Sequence, residues 1–317
     1  MANLYLGIDL GGTNIKTAVV DEDGVVHGHA QSKTKAEEGL NAVMDRIAAL
    51  CREAAQDAKK DWSDILGAGI GAPGPVNPKK GILTGAVNLG WGEVPLTDIL
   101  KKKLGMPVLA DNDVRVGAWG EYQVGAGRRA DNMLAVFCGT GVGGALILDG
   151  DLHYGHTFSA GEIGHTVVQA FAPVGQRTLE ELASRGAIAR RLIEMLKASH
   201  PSILPKLVDG KLDDIRSKVI ARALKQNDPL TCAVVDDAAK ALGVAIANAV
   251  TLVPVPVVVL GGGLAEALGD DLLKRVCAAF TASVFPPESA SGTKLLIGKL
   301  GDDAGPIGAA LLAAEKL

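Results

Sequence analysis

The sequence predicts a mixed α/β protein of two related halves. Three observations carry that prediction. A Gly/Thr turn at Asp9-Leu10-Gly11-Gly12-Thr13-Asn14-Ile15-Lys16 recurs in a matching context at Gly139-Thr140-Gly141-Val142-Gly143-Gly144. Each turn follows a short apolar run (4–8 and 133–137) and precedes another that closes on an acidic-glycine turn (18–24 and 145–150), which reads as strand, turn, strand, turn, twice. Finally, 317 residues with 48% hydrophobic content suffice for two cored domains.

The remaining elements follow from periodicity and punctuation. Leu40, Val43, Met44, Ile47, Leu50, Cys51 and Ala54 fall on one face of a helix within 39–59, expected to pack on the first sheet. A strand near 66–70 runs into Gly71-Ala72-Pro73-Gly74-Pro75-Val76-Asn77-Pro78, a loop too rich in glycine and proline to be regular. After the strand at 107–110, Asp111-Asn112-Asp113 stands before a helix predicted from Val114 toward Tyr122. Further helices are predicted over 179–198, 215–224, 230–250 and 264–282, and a small-residue helix over 305–314. The apolar run 252–260 is too short to span a bilayer, which takes about 20 residues, and reads as a buried parallel strand.

Composition narrows the partners. Net charge is -4, the lysine pairs and the 101–103 lysine run have acidic neighbours, and aromatics are only 3%, so a nucleic-acid surface is not expected. The four cysteines lie far apart with no C-x-x-C pair, and the chain opens on a strand with no basic-apolar leader, so the expected location is cytoplasmic.

Glycine-rich turns let backbone N–H groups converge on an anion, and Thr13, Thr140 and Lys16 add hydroxyl donors and a cation, so the two turns together point to a polyphosphate. Taken singly, each reads equally as an ordinary hairpin. A β-branched run follows the first turn where a Walker loop or dinucleotide fingerprint needs a helix, which argues against both.

Phosphoryl transfer to an alcohol needs phosphate donors with a metal, a base beside the hydroxyl and groups that orient the acceptor. Asp113 is the candidate base and Asn112 a candidate hydroxyl ligand, though the 111–113 segment serves equally as a helix cap. Asp9 is placed to orient Mg2+ through water. Glu162 and His165, three apart, suit a polyol, with satisfaction by local backbone as the alternative. Gly261, Gly262 and Gly263, between a strand and a helix, admit a flat ligand or mark a bare chain turn.

Taken in order, these motifs resemble the ROK sugar kinases, and glucokinase-like members in particular. The matching segments are D-L-G-G-T-N-I-K (9–16), G-A-P-G-P-V (71–76), N-L-G-W (88–91), D-N-D-V (111–114), C-G-T-G-V-G-G (138–144), G-E-I-G-H (161–165), L-G-G-G (260–263) and G-P-I-G-A-A (305–310). The resemblance implies a two-domain actin-like, ribonuclease-H-like α/β fold with a cleft between the lobes. The smaller domain is expected at 1–117, the larger at 118–302, and the 303–317 helix packed back on the smaller one. It implies ATP-dependent phosphorylation of a hexose, most simply glucose at the 6-hydroxyl, with Asp113 as base and Mg2+ at Asp9. Sugar hydroxyls would meet Pro73, Gly74, Asn88, Asn112, Glu162, His165 and Glu180. The nucleotide would meet Asp9, Gly11, Gly12, Thr13, Asn14, Lys16, Gly139, Thr140, Gly141 and, near the adenosine, Gly261 to Gly263. A homodimer or homotetramer is expected.

One departure stands out. Many ROK members carry a cysteine-rich segment after G-E-x-G-H whose three cysteines join the histidine on zinc. Here residues 172–180 contain no cysteine, and His165 alone cannot close a site needing about four ligands, so no zinc is expected. Packing or Arg177 must then hold the loop that leads to Glu180. Only eight residues precede Asp9, too few for the helix-turn-helix of the family's repressors. The alternatives are a kinase for fructose, mannose or an N-acetylhexosamine, a polyphosphate donor, or a non-catalytic sugar sensor.

Overall fold

The computed structural model describes residues 2–128 and 130–317. The chain divides into two units. The first holds the described residues of 1–129 together with 151–160 and 302–317, and the second holds 130–150 and 161–301.

In the first unit, β1 (Leu4–Leu10), β2 (Asn14–Asp21) and β3 (Val26–Lys33) form an antiparallel meander, followed by α1 (Leu40–Asp57) and β4 (Ile65–Ala72). A small hairpin of β5 (Val76–Asn77) and β6 (Ile82–Leu83), then α2 (Leu96–Leu104), lead to β7 (Val108–Asn112) and α3 (Asp113–Gln123). The sheet order is β3-β2-β1-β4-β7, with β1–β4 and β4–β7 parallel. The central strand β1 is buried on nearly every residue because helices and neighbouring strands cover both of its faces. The apolar stripe of α1 buries Val43, Met44, Ile47, Leu50, Cys51 and Ala54 against β2 and β3. Each large side chain there contributes about 1.5–3 kcal/mol.

The second unit opens with β8 (Met133–Cys138) and β9 (Val142–Leu148); β10 (Asp151–His153) begins the segment 151–160. Helices α4 (Leu179–Ala183), α5 (Arg185–Lys197), α6 (Leu204–Leu207), α7 (Ser217–Lys225) and α8 (Pro229–Leu252) precede β11 (Val257–Gly261). Then come α9 (Gly263–Leu268), α10 (Asp270–Ser283), α11 (Ser289–Gly292) and β12 (Lys294–Ile297). Strands β9-β8-β11-β12 repeat the order and sense of β2-β1-β4-β7, antiparallel then parallel twice. The fold is the two-domain actin-like α/β fold.

The last helix, α12 (Ala304–Lys316), packs on β1, β4 and α3 of the first unit. A Cβ at Gly308 would lie 1.7 Å from Val116 O, so the α3–α12 crossing requires its small residues.

Three expectations change at the level of elements. The helix expected over 179–198 breaks at Ser184, whose extended backbone (ψ 154°) starts a new helix and whose Oγ caps Ala187 N at 3.1 Å. The helix expected over 264–282 breaks at Gly269, where φ is 53°. The run 252–260 is a strand only from Val257, because α8 extends to Leu252 and prolines 254 and 256 cannot donate to a ladder. Residues 118–123 continue α3 and lie with the first unit, as do 151–160. No helix among the described residues is long and apolar enough to cross a membrane.

Candidate active site

The first glycine turn joins β1 to β2. Gly11 N donates to Asn14 O at 2.9 Å, and the buried Thr34 braces the turn by donating from Oγ1 to Gly11 O (2.6 Å) and from its N–H to Thr13 O (2.9 Å). Gly12, Thr13 and Asn14 are left exposed at the tip. Asn88 stands beside them, since a Cβ at Gly12 would come within 3.4 Å of the Asn88 Cβ.

Asp9 and Lys16 face each other across the β1–β2 ladder, and Lys16 Nζ donates to Asp302 O at 3.0 Å. Burial pushes the Asp9 carboxyl up to about 6, with Lys16 lowering it and Asp302 raising it further. Because the folded value lies above the unfolded 3.8, the stability linked to this group is fully present below pH 3.8 and is lost as pH rises through about 6. At about 1.4 kcal/mol per unit this amounts to as much as about 3 kcal/mol. Urea unfolding of the ligand-free protein from pH 4 to 7.5 should therefore show Asp9→Asn matching the wild type at pH 4 and exceeding it at pH 7.5. Parallel curves across that range would rule the effect out.

The second cluster of the first unit lies where β7 becomes α3. Asn112 is the N-cap, its Oδ1 accepting from Val114 N (3.0 Å) and Arg115 N (3.1 Å). Its Nδ2 donates to Gly74 O (3.2 Å) and Asp113 Oδ1 (2.9 Å), and Val114 N also donates to that oxygen (2.8 Å). The cap therefore holds the Asp113 carboxylate and the Pro73-Gly74 loop together. Gly74 has φ of 101°, and a Cβ there would lie 2.3 Å from Gly85 O, so the loop needs glycine. Gly71 also packs against α3, its missing Cβ falling 2.4 Å from Val116 Cγ2 and 3.2 Å from Asp113 Cα.

Beneath this cap lies a buried ion pair that the sequence reading did not find. Asp111 is fully buried and Arg115 nearly so, with Arg115 Nε donating to Asp111 Oδ1 at 2.6 Å. Tyr154 OH donates to Asp111 Oδ2 (2.8 Å), and the guanidinium donates to Phe158 O (2.7 Å) and Val76 O (3.1 Å) while lying over the Tyr154 ring. Burial raises the Asp111 carboxyl while Arg115 lowers it, and burial beside Asp111 pushes the Tyr154 phenol up.

In the second unit, the turn after β8 closes through Gly139 N to Gly141 O at 2.9 Å, leaving Thr140 exposed. Glu180 lies against it: Val142 N donates to Glu180 Oε2 at 2.9 Å, and a Cβ at Gly141 would come within 2.2 Å of that oxygen. Arg185, at the start of α5, donates from its backbone N to Gly139 O (3.0 Å) and from its guanidinium to Thr140 Oγ1 (2.9 Å). Sequence reasoning passed over Arg185; its signal is a cap serine followed by arginine inside a predicted helix.

Glu162 caps and His165 ends a single 3-10 turn packed on β9, where a Cβ at Gly164 would overlap Val142 O at 1.9 Å. Neither side chain makes a hydrogen bond or ion pair with the described residues, so local backbone does not satisfy them. The 166–179 loop is held without cysteines. Val167 bridges Thr178, Val168 N donates to Arg177 O (2.8 Å), and Arg177 Nε reaches across to Ala172 O (2.6 Å). Thr178 and Glu181 form a capping box that starts α4 next to Glu180. Among the described residues no three His, Cys, Asp or Glu side chains converge as a metal-holding group.

Gly261 ends β11 and Gly262 caps α9, both against the end of β8. Gly262 has φ of 83°, and its missing Cβ would fall 2.7 Å from Cys138 O, while Gly263 faces open space. The first two glycines are thus required by chain packing whether or not a ligand approaches. Each unit accordingly gathers its own set: Asp9, the 11–16 turn, Gly74, Asn88, Asn112 and Asp113 in one; the 139–144 turn, Glu162, His165, Glu180 and 261–263 in the other.

Residues 5–316 match the ROK family over nearly the whole chain. The chain belongs to the ROK family. It is 36% identical over 317 residues to the glucokinase of Halalkalibacterium halodurans, covering 98% of this chain and 95% of that one. It is 33% identical to the glucokinase of Thermotoga maritima, covering 98% of both. A crystal structure of a ROK family glucokinase from Streptomyces griseus with glucose and AMPPNP superposes with a TM-score of 0.84 at 30% identity, over 98% of this chain and 99% of that chain. The matched span, 5–316, takes in both clusters described above.

Proposed function

We propose that this chain transfers the γ-phosphoryl group of ATP to the 6-hydroxyl of glucose. The observation that carries this reading is the Asn112 cap, which holds the Asp113 carboxylate beside the Gly74 loop at a strand end, in a chain similar to glucokinases along its whole length. Asp113 takes the hydroxyl proton as the oxygen–phosphorus bond forms and the bond to ADP breaks. Asn112, Asn88, Pro73-Gly74, Glu162, His165 and Glu180 orient the sugar. Glu162 and His165 suit this because neither is engaged elsewhere in the described residues. Thr13, Lys16 and the 139–141 turn attend the phosphates, and 261–263 the adenosine.

Asp9 fits a hydrated Mg2+: its carboxyl is raised by burial and by the nearby Asp302, so a cation relieves the local negative charge. When bound, Mg2+ neutralises charge on the phosphate oxygens. The four free cysteines support a reducing, cytoplasmic setting. The exposed Val167, Phe171 and Val174 support assembly into a homodimer or homotetramer.

The test is a coupled ADP-release assay across glucose, mannose, fructose and N-acetylhexosamines, with ATP or polyphosphate as donor. Glucose with ATP should give the highest kcat/KM. Sugar-induced thermal stabilisation without ADP release would identify a sensor and overturn the reading.

A further inference from the structure

We infer that Arg185 is a phosphate-binding residue, directing its guanidinium to the oxygen anions of a polyphosphate chain held at the 139–141 turn. The inference rests on the reading of that turn as a phosphate site. Arg185 is fixed to the turn at two points, its backbone N on Gly139 O (3.0 Å) and its guanidinium on Thr140 Oγ1 (2.9 Å). Its rotamer is thereby set before any ligand arrives, which lowers the entropy cost of binding.

Among the described residues the guanidinium has no counter-charge. No carboxylate among the described residues forms an ion pair with it, and what sets Arg185 apart from other arginines without an ion pair, such as Arg190 and Arg222, is its double attachment to the glycine turn. Among the described residues a neutral hydroxyl is the one acceptor of this guanidinium, which leaves most of a five-donor planar fork unmatched. Glu180, the acid lying against the same turn, is engaged on Val142 N instead. The space beside Gly139 is open, with no atom within 4 Å of where a Cβ would stand. A fixed, uncompensated guanidinium next to an open glycine turn matches the bidentate geometry of phosphate.

Binding of AMPPNP, inorganic tripolyphosphate and AMP, measured by calorimetry on the full chain, tests this with Arg185→Ala and Arg185→Lys. Arg185→Ala should weaken AMPPNP and tripolyphosphate about tenfold or more, a change expected of a lost charge-assisted contact. AMP binding, the KM for glucose and the melting temperature should stay at wild-type values, and Arg185→Lys should recover part of the loss. The wild type's relative turnover with ATP and with tripolyphosphate distinguishes a nucleotide from an inorganic chain as the source of the phosphates. Unchanged affinity for both phosphate ligands would overturn the inference, as would an equal loss for AMP. If the wild type binds these ligands but phosphorylates no hexose, the functional reading fails while the assignment of Arg185 is still decided by binding.

Discussion

Replacing Asp113 with asparagine should lower kcat for glucose phosphorylation by about 10³-fold, in the middle of the 10²–10⁴ range typical of a lost general base. Asparagine preserves the size and the hydrogen-bonding reach of the side chain but cannot take a proton. The carboxylate lies at the first position of α3, so the substitution removes a favourable charge at a helix N-terminus, about 0.3–1 kcal/mol. The variant should thus fold with a melting temperature within a few degrees of the wild type and retain its affinity for glucose. Steady-state kinetics and a thermal melt separate the two effects. Near-wild-type kcat would remove Asp113 from the role of base, and a large loss of stability would leave its chemistry unproven.

The largest stability effect belongs to Arg115. Its guanidinium is buried and bonded to Asp111, Phe158 O and Val76 O. Arg115→Met leaves the Asp111 carboxylate buried without its cation, and removal of one partner of such a pair costs about 3–5 kcal/mol. Asp111→Asn/Arg115→Met removes both charges together and should recover at least 1 kcal/mol of that loss, roughly the net value of one hydrogen bond. Urea denaturation of the single and double variants measures both quantities. A single variant within about 1 kcal/mol of the wild type would show that the pair carries little of the stability of the first unit. The pair also anchors residues next to the Asp113 cap, so partly folded Arg115→Met should show a raised KM for glucose.

Local chemistry made much of this legible. The two strand-turn-strand units were readable because glycine, threonine and alternating apolar residues repeat at matching positions, and α1 because its stripe falls at helical spacing. The broken helices were marked by Ser184 and Gly269, signals that a continuous apolar pattern concealed. The run 252–260 looked like a strand by hydropathy alone, although its prolines confine pairing to 257–261.

Long-range partners were not legible. Nothing in the local sequence singles out Arg115, whose partners Tyr154 and Phe158 stand some forty positions away. The 111–113 segment offered a cap or a catalytic group as rival readings, yet the structure gives the cap to Asn112 and leaves Asp113 at the first turn of the helix. The contact of Glu180 with Val142 N joins residues 38 positions apart, which no local pattern announces.

A crystal structure with bound glucose tests the central claim most directly. The account predicts the sugar's O6 within about 3 Å of the Asp113 carboxylate, the reach needed for proton transfer. Glucose bound elsewhere, or with a different hydroxyl facing Asp113, would contradict it.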